Sequence, residues 1–414
     1  MSLAGRTVVL GVSGGIAAYK SAEIVRLLTA QGATVRVVMT RGAREFITPL
    51  TLQTLSGNPV STELFDLTQE SQIGHIQLAD SADVVLVAPA TANAIAKLAH
   101  GIADDLLSTV LLATRAPMLL APAMNVHMYE NAAVQENLQT VARRGARLIP
   151  PAVGSLACGY EGQGRLPDPE RIVLEVGRAL AAPDLDGERV LVTAGPNREP
   201  LDPVRFLSNR SSGRMGYALA AAAWRRGADV TLVSGPTALA DPHGVTTVRV
   251  STADEMHRAV RREFKETSVL LMAAAVADYR PKSVARQKIK KGAGRHTIEL
   301  ERTVDILADL PASRGRRIVV GFAAETEDVL RNAERKLTAK KLDLIVANDV
   351  SRPDAGFEVA TNAVTLIDAD GRDEIDLAGK DEIADRILDR VVRLRSSRPH
   401  RPRRLRGGQP PRGR

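Results

Sequence analysis

Three short motifs in the first half of the chain combine small residues with side chains that could bind an anion or move a proton. Residues 11–17 (GVSGGIA) end a predicted strand, and their glycines would let the backbone approach a phosphate at a helix start, with Ser13 as a hydroxyl donor. Residues 88–93 (APATAN) and 122–129 (PAMNVHMY) also stand between a predicted strand and a predicted helix. A turn or a helix cap is the alternative for each motif alone. Together the motifs predict ligand binding at the carboxyl ends of parallel strands.

Residues 11–15 also match G-x-S-x-G, the nucleophile elbow of serine hydrolases. That interpretation needs an oxyanion loop upstream, and only a handful of residues precede Ser13, so we do not expect hydrolase chemistry. The dinucleotide-binding fingerprint is incomplete as well, because the third glycine of its spacing is missing. On its own, the motif therefore predicts either an anion site or a tight structural turn.

The second half carries a similar combination of turns and charges. Residues 192–202 (VTAGPNREPLD) end a predicted strand in a Gly/Pro turn, and residues 211–213 (SSG) place hydroxyls at a helix start, where an anion could bind. Asp278 follows an apolar strand and could hold a sugar hydroxyl or a base amino group. Lys288 begins a cation cluster (KIKK) that could neutralise a triphosphate. A helix cap and a solvated basic loop are the alternatives.

Four single residues have side chains suited to chemistry. His75 precedes a predicted helix, and histidine suits proton transfer because its unperturbed pKa is about 6.5, although a surface histidine is the alternative. Cys158 lies among glycines, which favours a mobile lid, although lone cysteines are commonly buried. Lys336 and Lys340 are one helical turn apart, so they could face the same ligand or form a plain basic helix face.

The elements that must position these residues alternate between strand and helix. Apolar, β-branched runs occupy residues 7–12, 34–39, 84–88, 118–120 and 147–149, and then 189–194, 229–234, 269–274, 317–322 and 343–347. Helices are predicted over residues 17–30, 131–143, 214–226, 325–341 and 381–395. Because apolar strands separated by helices are typical of parallel sheets covered on both faces, we predict an α/β fold. Residues 179–188 have the composition of a linker between two such domains.

The bulk composition limits the function further. The chain has 414 residues, 44% of them hydrophobic, one cysteine and a net charge of +8. Residues 393–414 contain nine arginines and no acid, so the rest of the chain carries 8 − 9 = −1. The positive charge therefore belongs to a basic tail, residues 396–414, which we expect to be disordered and which could bind polyanions weakly. A soluble, cytoplasmic protein is expected, because we find neither a signal peptide nor an apolar run long enough to span a membrane.

Taken together, the motifs of the first half resemble one family. Ser-Gly-Gly-Ile-Ala, Pro-Ala-Thr-Ala-Asn, Pro-Ala-Met-Asn-x-x-Met, Gly-His-Ile at 74–76 and Gly-Ser-Leu-Ala-Cys-Gly at 154–159 resemble the flavin-containing cysteine decarboxylases over residues 6–180. That resemblance implies a flavodoxin-like, Rossmann-type parallel sheet. It implies FMN at Ser13, Gly14, Gly15, Thr40, Thr91, Asn93 and Ser108.

The same resemblance implies a reaction. In this family the flavin oxidises the thiol of 4′-phosphopantothenoylcysteine to a thioaldehyde, carbon dioxide leaves, and the reduced flavin restores the saturated thiol of 4′-phosphopantetheine. His75 would act as a base or an orienting group, Asn125 would hold the substrate carboxylate, and Cys158 would protonate the enethiolate.

The motifs of the second half resemble the phosphopantothenate–cysteine ligases over residues 189–395. They are Ala-Gly-Pro-x-Arg-Glu-Pro-Leu-Asp, Ser-Asn-x-Ser-Ser-Gly, Ala-Ala-Val-Ala-Asp-Tyr, Lys-Ile-Lys-Lys and Gly-Phe-Ala-Ala-Glu-Thr. The resemblance implies a Rossmann-like ligase that uses CTP and Mg²⁺, forms an acyl cytidylate with loss of pyrophosphate, and lets the amine of L-cysteine displace CMP. Asn209 would contact the intermediate and Lys288 would act in catalysis. The nucleotide would lie on Ala275, Asp278, Lys288, Val304, Asp305, Ile306, Leu307, Phe322, Lys336 and Lys340. The family often has proline where this chain has Val304, which leaves the local geometry of that turn open.

The two resemblances in this order are those of the bacterial bifunctional enzymes of coenzyme A synthesis. They imply a decarboxylase domain at residues 1–188, a ligase domain at 189–395, and homo-oligomers built from flavin-domain trimers and ligase-domain dimers, up to a dodecamer. The expected partners are the small molecules 4′-phosphopantothenate, L-cysteine and CTP, with neither nucleic acid nor membrane. The alternatives are a regulatory flavodoxin-like subunit that only binds nucleotide and, from the tail alone, a nucleic-acid binder.

Overall fold

The chain folds into two units, Met1–Ala182 and Pro183–Arg414. The structure is a computed structural model that describes residues 2–64, 74–155, 161–291, 297–311, 315–325, 327–349, 356 and 359–397. The predicted disordered tail lies outside these ranges from residue 398 onward, while residues 396 and 397 belong to the end of a helix and its cap. Within the described ranges, every helix is too short or too polar to traverse a bilayer.

The first unit alternates strands and helices along the chain. Its strands are β1 (Thr7–Val12), β2 (Thr34–Met39), β3 (Val60–Ser61), β4 (Val84–Ala90), β5 (Met118–Pro122), β6 (Arg147–Leu148), β7 (Ala152–Ser155) and β8 (Glu161–Arg165). Its helices are α1 (Ser21–Ala30), α2 (Pro49–Ser56), α3 (Gly74–Ser81), α4 (Ala92–His100), α5 (Leu106–Ala113), α6 (Val126–Glu130), α7 (Ala132–Arg143) and α8 (Pro169–Leu180). Two short 3-10 helices, Ile16–Lys20 and Arg41–Glu45, follow β1 and β2.

Six of these strands form one parallel sheet in the order β3-β2-β1-β4-β5-β6. Without the two-residue edge strand β3, the order is that of flavodoxin-like folds, and the direction of winding reverses between β1 and β4. The predicted parallel α/β sheet is confirmed. Ligands of such sheets bind in the crevice at the carboxyl ends of the strands beside this reversal.

Side chains of β1 explain why the sheet is covered on both faces. Leu10 and Val12 are buried in one core together with Ile24 of α1, whereas Val9 is buried in a second core together with Val110 of α5. Alternate residues of a strand point to opposite faces, so an apolar strand needs a helix layer on each side. Truncating a buried leucine such as Leu10 to alanine would cost about 2–5 kcal/mol of stability.

The predicted helix over residues 17–30 is divided in two. Residues Ile16–Lys20 form a 3-10 helix, and α1 begins only at Ser21. Tight 3-10 turns are frequent at helix N-termini. The division keeps the turn after β1 close to the sheet before the helix proper starts.

The second unit repeats the α/β pattern around a larger sheet. Its strands are β9 (Arg189–Ala194), β10 (Arg198–Pro200), β11 (Phe206–Ser208), β12 (Asp229–Ser234), β13 (Thr246–Arg249), β14 (Val269–Met272), β15 (Tyr279–Pro281), β16 (Leu300–Arg302), β17 (Ile318–Glu325), β18 (Leu344–Asp349), β19 (Thr361–Asp368) and β20 (Gly371–Gly379). Its helices are α9 (Arg214–Arg225), α10 (Ala253–Glu263), α11 (Val329–Ala339) and α12 (Lys380–Ser396).

The main sheet of this unit has the order β13-β12-β9-β14-β17-β18-β19-β20. Its first six strands are parallel in a Rossmann order, with the reversal between β9 and β14, and the predicted Rossmann-like class is confirmed. The last two strands, β19 and β20, are antiparallel and extend the sheet by a hairpin that the sequence analysis did not predict. Residue 325, predicted to be helical, instead ends β17, where it pairs with residue 349.

Candidate functional site

In the first unit, Ser13 joins the turn after β1 to the end of β4. Its side chain is almost fully buried; the hydroxyl donates to Pro89 O at 2.7 Å and accepts from the N–H of Thr91 at 2.9 Å. These bonds hold together the two strands between which the sheet reverses. The hydroxyl proton that was expected to face a phosphate is therefore used within the protein. An anion bound here would be held by backbone N–H groups instead.

Two glycines bring neighbouring turns of this sheet edge into contact. A Cβ on Gly14 would lie 2.7 Å from the carbonyl carbon of Gly42, which is too close for any side chain. Gly15 precedes the 3-10 helix Ile16–Lys20 with no side chain capping its N-terminus, and Thr40 caps the next 3-10 helix. The structure thus brings four of the predicted FMN residues to one rim where the backbone is accessible.

Thr91 and Asn93 lie at the same edge, at the start of α4. Thr91 caps α4 by accepting from the N–H of Ala94, and Asn93 is exposed in the first turn. Because α4 follows β4 directly, its N-terminus points to the rim formed by the turn after β1. Both residues are therefore brought to the predicted site.

Ser108 has a different environment from the other predicted FMN residues. It is buried, and its hydroxyl donates to Asp105 Oδ1 at 2.8 Å within a capping box at the start of α5. Burial alone would raise the pKa of Asp105, but hydrogen bonds from Lys97 and Ser108 lower it overall. The neighbouring Leu107 covers Gly11 of β1. Ser108 is thus near the end of β1, with its hydroxyl engaged in a helix cap.

His75 and Asn125 begin two other helices of the unit. His75 is half-buried in the first turn of α3, which leads into the amino end of β4, so the start of α3 faces the carboxyl edge of the sheet. Asn125 follows β5 and caps α6, where its side-chain oxygen accepts from the N–H of His127 at 2.9 Å. Both residues therefore belong to the same edge as the glycine turns.

The hairpin of β7 and β8 packs against the loop that carries Asn125. The N–H of Met124 donates to Gly164 O at 2.9 Å, and a Cβ on Gly164 would lie 2.3 Å from Met124 O. A Cβ on Gly162 would lie 2.6 Å from a methyl group of Val126. Cys158, between these strands, lies outside the described residues. Glycines in the hairpin are therefore required for its close approach to the Asn125 loop.

In the second unit, a cleft of about 780 Å³ opens at the carboxyl ends of β14, β17 and β18. Its lining includes the predicted residues Asn209, Ala275, Asp278, Val304, Asp305, Ile306, Leu307, Phe322, Lys336 and Lys340. The lining also includes Ser211, Ser212 and Gly213 before α9. The structure thus brings all the predicted nucleotide and intermediate residues together except Lys288.

Asn209 ties two walls of this cleft to each other. Its side-chain nitrogen donates to Ala275 O and to Val276 O, each at 3.1 Å. Ala275 follows β14, whereas Asn209 precedes the turn that leads into α9. Substitution of Asn209 would therefore change the shape of the cleft as well as any direct contact to a ligand.

The two lysines of α11 have protein partners within the cleft. Lys336 donates to Phe322 O at 2.9 Å, and burial together with the charge of Lys340 lowers its pKa. Lys340 pairs with Asp305 at 3.0 Å. Burial would raise the pKa of Asp305, but the hydrogen bond from Lys340 lowers it overall. These contacts fix one wall of the cleft around two cations that face the same space.

Lys288 is exposed and does not line the cleft. The next residue in its loop, Ile289, is held by hydrogen bonds to Asp202 and Arg205. The buried carboxylate of Asp202 accepts from the N–H of Ile289 at 3.1 Å and from Arg205 Nη2 at 2.6 Å. Arg205 Nη2 also donates to Ile289 O at 2.8 Å. Burial would raise the pKa of Asp202, but hydrogen bonds from Arg205, Val204 and Ile289 hold it well below its usual range.

Three polar residues that line the cleft lie outside the motifs of the sequence, and none of them was predicted. Asn362 of β19, Arg214 of α9 and Lys380 of α12 line the cleft, and Lys380 and Asn362 are buried. The signal in the sequence was a lysine in the first turn of a helix, where a positive charge opposes the helix dipole. A lysine at this position does not stabilise the helix, so it indicates a different role, such as binding an anion.

Family profiles assign a class to each unit. The first matches the family described as Flavoprotein over residues 2–180, and the second matches the DNA/pantothenate metabolism flavoprotein C-terminal domain over residues 185–394. The folds and the family matches therefore define a flavoprotein unit followed by a pantothenate-metabolism unit.

Relatives of nearly full length make the assignment specific. The coenzyme A biosynthesis bifunctional protein CoaBC of Vibrio cholerae is 52% identical, over 94% of this chain and 98% of its own length. The protein of the same name from Escherichia coli K12 is 51% identical, over 95% of this chain and 98% of its own length. Among solved structures, the C-terminal domain of a CoaBC protein is 44% identical, covers 52% of this chain and all of its own, and has a TM-score of 0.46.

The chain belongs to the family of coenzyme A biosynthesis bifunctional proteins. The resemblance that the motifs indicate is therefore confirmed, and so is the prediction of a bifunctional enzyme rather than a regulatory subunit.

Proposed function

We propose that the second unit joins 4′-phosphopantothenate to L-cysteine at the expense of CTP, and that the first unit decarboxylates the product with FMN. The main support for this proposal is the position of the motif residues in the two sheets. In each unit, motif residues that are far apart in the sequence meet at the carboxyl edge of one sheet, beside the strand reversal. Residues 11–15 and 91–93 do so in the first unit, and Asn209, Asp278 and Lys336 do so in the second.

The rim of the first unit fits a flavin phosphate. A Cβ on Gly14 would clash with the backbone of Gly42, so only glycine keeps these two turns together, and the 3-10 helix after Gly15 has no side chain capping its first N–H groups. Ile16 and Tyr19 are 60% and 58% exposed beside this turn and offer apolar surface for a ring system. FMN would be held by Ser13, Gly14, Gly15, Thr40, Thr91 and Asn93, with Ser108 supporting the start of α5. When bound, it supplies a reversible two-electron acceptor for the substrate thiol.

The remaining residues of this unit would bind the substrate and move protons. Asn125 would hold the substrate carboxylate with its amide, and His75 would orient that carboxylate or accept a proton near the thiol. Cys158 would return a proton after carbon dioxide has left. The hairpin stem that carries Cys158 packs on the Asn125 loop through Gly162 and Gly164, which supports a common role of the two residues.

The cleft of the second unit fits a pyrimidine nucleotide. Its volume of about 780 Å³ exceeds what the base and ribose need, and a second substrate can enter. Asp278 would bind the ribose or the base, and Phe322 with Lys336 would contact the base. Ala275 and residues 304–307 would form the opposite wall. Lys288 would close over the phosphates from the loop that Asp202 anchors.

A Mg²⁺ ion would enter this cleft with the triphosphate. Magnesium is usually held by one or two carboxylates together with substrate phosphates. No cluster of three or more metal-ligating side chains occurs among the described residues, and Asp305 already pairs with Lys340. Asp278 is the carboxylate that lines the cleft without an ion pair in the described part of the chain. The donor set fits a metal carried by the nucleotide.

The chemistry of the ligase explains why a nucleotide is needed. A carboxylate is a poor electrophile, so one of its oxygens first forms a bond to the α-phosphorus of CTP while the bond to the bridging oxygen breaks and pyrophosphate leaves. The amine of L-cysteine then attacks the activated carbonyl, CMP leaves, and the amine loses a proton. Asn209 would hold the acyl cytidylate between these steps.

We also propose assembly through both units. Tyr19 and Leu50 of the first unit and Val204 and Leu300 of the second are 58%, 70%, 58% and 45% exposed. Association of copies could bury side chains such as these. The stoichiometry that we propose, trimers of the flavin unit and dimers of the ligase unit combined into a dodecamer, is the one that the family resemblance implies.

The proposal is tested by the order in which products appear. Pyrophosphate release should require CTP, Mg²⁺ and 4′-phosphopantothenate but not cysteine, whereas CMP release should also require cysteine. The purified protein should be yellow, with a flavin released as FMN on denaturation. Pyrophosphate release without 4′-phosphopantothenate, or a colourless protein that takes up no FMN, would contradict the assignment.

A further inference from the structure

Lys380 is a buried cation of the ligase cleft that no step above uses. It is 7% exposed and lines the cleft at the first position of α12. Its amine donates to Gly356 O at 2.9 Å and to Val359 O at 2.7 Å. A lysine ammonium has three donors, so one remains beyond these two carbonyls.

Among the described residues, the charge that acts on Lys380 is positive. Burial, and then the charge of Arg214, lower the pKa of Lys380 to about 8. Within the described residues, neither Lys380 nor Arg214 forms an ion pair. Asp381 and Glu382, which follow in α12, are exposed and do not line the cleft.

Arg214 adds to this positive region from a second helix. It is exposed, lines the cleft, and occupies the first position of α9, whose N-terminus has no side-chain cap. Two cations and the positive end of a helix thus converge on one part of the cleft, an arrangement that is unfavourable without a negative charge. A bound polyanion would remove this cost.

We infer that Lys380 and Arg214 form the subsite for the two terminal phosphates of the nucleotide, the group that leaves as pyrophosphate. This inference rests on the proposed use of a nucleoside triphosphate by the same cleft. It divides the cleft into two parts: the wall with Phe322 and Lys336 takes the base, and the wall with Arg214 and Lys380 takes the leaving group. Lys380 would also connect Gly356 and Val359 to that group.

The subsite gives a reason for the direction of the first step. When the bond from the α-phosphorus to the bridging oxygen breaks, negative charge grows on the departing pyrophosphate. Fixed cations at that position stabilise the developing charge more than they stabilise the ground state. Lys380 and Arg214 would therefore act on formation of the acyl cytidylate and not on attack by cysteine.

Binding of three probes to the full-length protein tests the inference. Inorganic pyrophosphate, CTP and CMP are titrated calorimetrically against wild type, Lys380→Met, Lys380→Arg and Arg214→Gln. The loss of one charged hydrogen bond should weaken pyrophosphate and CTP by about 10- to 100-fold and leave CMP within about twofold. Lys380→Arg should recover much of the loss. Lys265→Met is the matched control, because Lys265 is an exposed lysine before β14, at the opposite edge of the same sheet.

The two variants distinguish a phosphate subsite from a purely structural role of Lys380. An equal loss of CTP and CMP affinity in Lys380→Met would mean that Lys380 only holds Gly356 and Val359 in place, and the inference would be wrong. If that variant fails to fold, Arg214→Gln must still show the selective loss, since Arg214 is exposed. If wild type binds pyrophosphate but not CTP, the proposal that this cleft uses CTP is wrong, whereas the anion subsite is retained. If wild type binds CTP and Lys380→Met binds every probe as wild type does, the nucleotide proposal stands and the phosphate subsite at Lys380 is wrong.

Discussion

Gly14 shows how one residue can decide whether the first unit holds a flavin. Its backbone lies so close to Gly42 that any Cβ would contact the opposite turn at 2.7 Å. We predict that Gly14→Ala forces the two turns apart and lowers the affinity for FMN about 5- to 150-fold, since overpacking costs about 1–3 kcal/mol. The flavin absorbance per chain measures it. CTP-dependent pyrophosphate release by the same preparation is the internal control. A variant that stays fully yellow would show that the contact of Gly14 with Gly42 is not needed to bind FMN.

Lys380 couples the stability of the second unit to pH. Its pKa is about 8 in the folded chain and 10.5 as the reference value, so between these values the unfolded state binds more protons. Stability from this group therefore rises with pH across that window, by up to roughly 3 kcal/mol. Lys380→Met should lack this rise.

The fluorescence of Trp224 reports the stability of the second unit, so it can measure the predicted pH dependence. Trp224 is the single tryptophan of the chain and is buried on α9. Urea unfolding followed by its fluorescence, from pH 7.5 to 10.5, gives the difference in unfolding free energy between wild type and Lys380→Met. The difference should shift in favour of wild type as pH rises; a constant difference would mean that Lys380 keeps an ordinary pKa in the folded state.

At the scale of elements, the loop of Lys288 depends on an anchor outside it. Asp202 accepts from Ile289 N–H, and Arg205 bridges the same residue from its carbonyl side. We predict that Asp202→Asn releases the loop and lowers acyl-cytidylate formation about tenfold, because a charged hydrogen bond is lost. Lys288→Gln should lower it as well, and neither change should affect decarboxylation of supplied 4′-phosphopantothenoylcysteine.

Single-turnover pyrophosphate release measures both variants. Asp254→Asn is the control, because Asp254 pairs with Arg258 in an exposed position on α10. The double variant Asp202→Asn/Lys288→Gln should be no slower than Lys288→Gln alone if the anchor acts through Lys288. Additive losses would show that Asp202 has a separate role.

Elements with a strong local pattern could be predicted from the sequence, and elements that depend on pairing could not. β1, β2, β9 and β12 begin and end where the apolar, β-branched runs do. The hairpin of β19 and β20 was missed because β20 (GRDEIDLAG) exposes most of its side chains and lacks an apolar run. Its strand character comes from the register with β19, which is a tertiary property.

The site could be predicted to the same extent as the fold. Motifs at strand ends located the residues that the structure brings together, because parallel strands deliver their carboxyl ends to one edge. Hydrogen-bond directions could not be predicted: Ser13 donates inward to Pro89, and Ser108 caps α5. Lys380 was missed because no motif surrounds it and because the predicted helix over residues 381–395 begins one residue after it.

At the scale of the whole molecule, the proposed assembly predicts the effect of a single surface change. Val204 is 58% exposed between β10 and β11. Val204→Glu would place a charge in the ligase-unit contact and should reduce dodecamers to trimers with normal flavin content. Light scattering after gel filtration measures the mass. Lys265→Glu, a charge change at an exposed site of the same unit, should keep twelve chains, and an unchanged mass for Val204→Glu would exclude this surface from the contact.

The central claim is that the two units of one chain perform consecutive reactions, and one time course tests it most directly. Flavin-loaded protein is mixed with 4′-phosphopantothenate, L-cysteine, CTP and Mg²⁺, and the pantothenate derivatives are followed by mass spectrometry. We predict that 4′-phosphopantothenoylcysteine rises first and is then replaced by 4′-phosphopantetheine, which has lost carbon dioxide. Absence of any CTP-dependent cysteine adduct, or an adduct that the flavin-loaded protein never decarboxylates, would contradict the account.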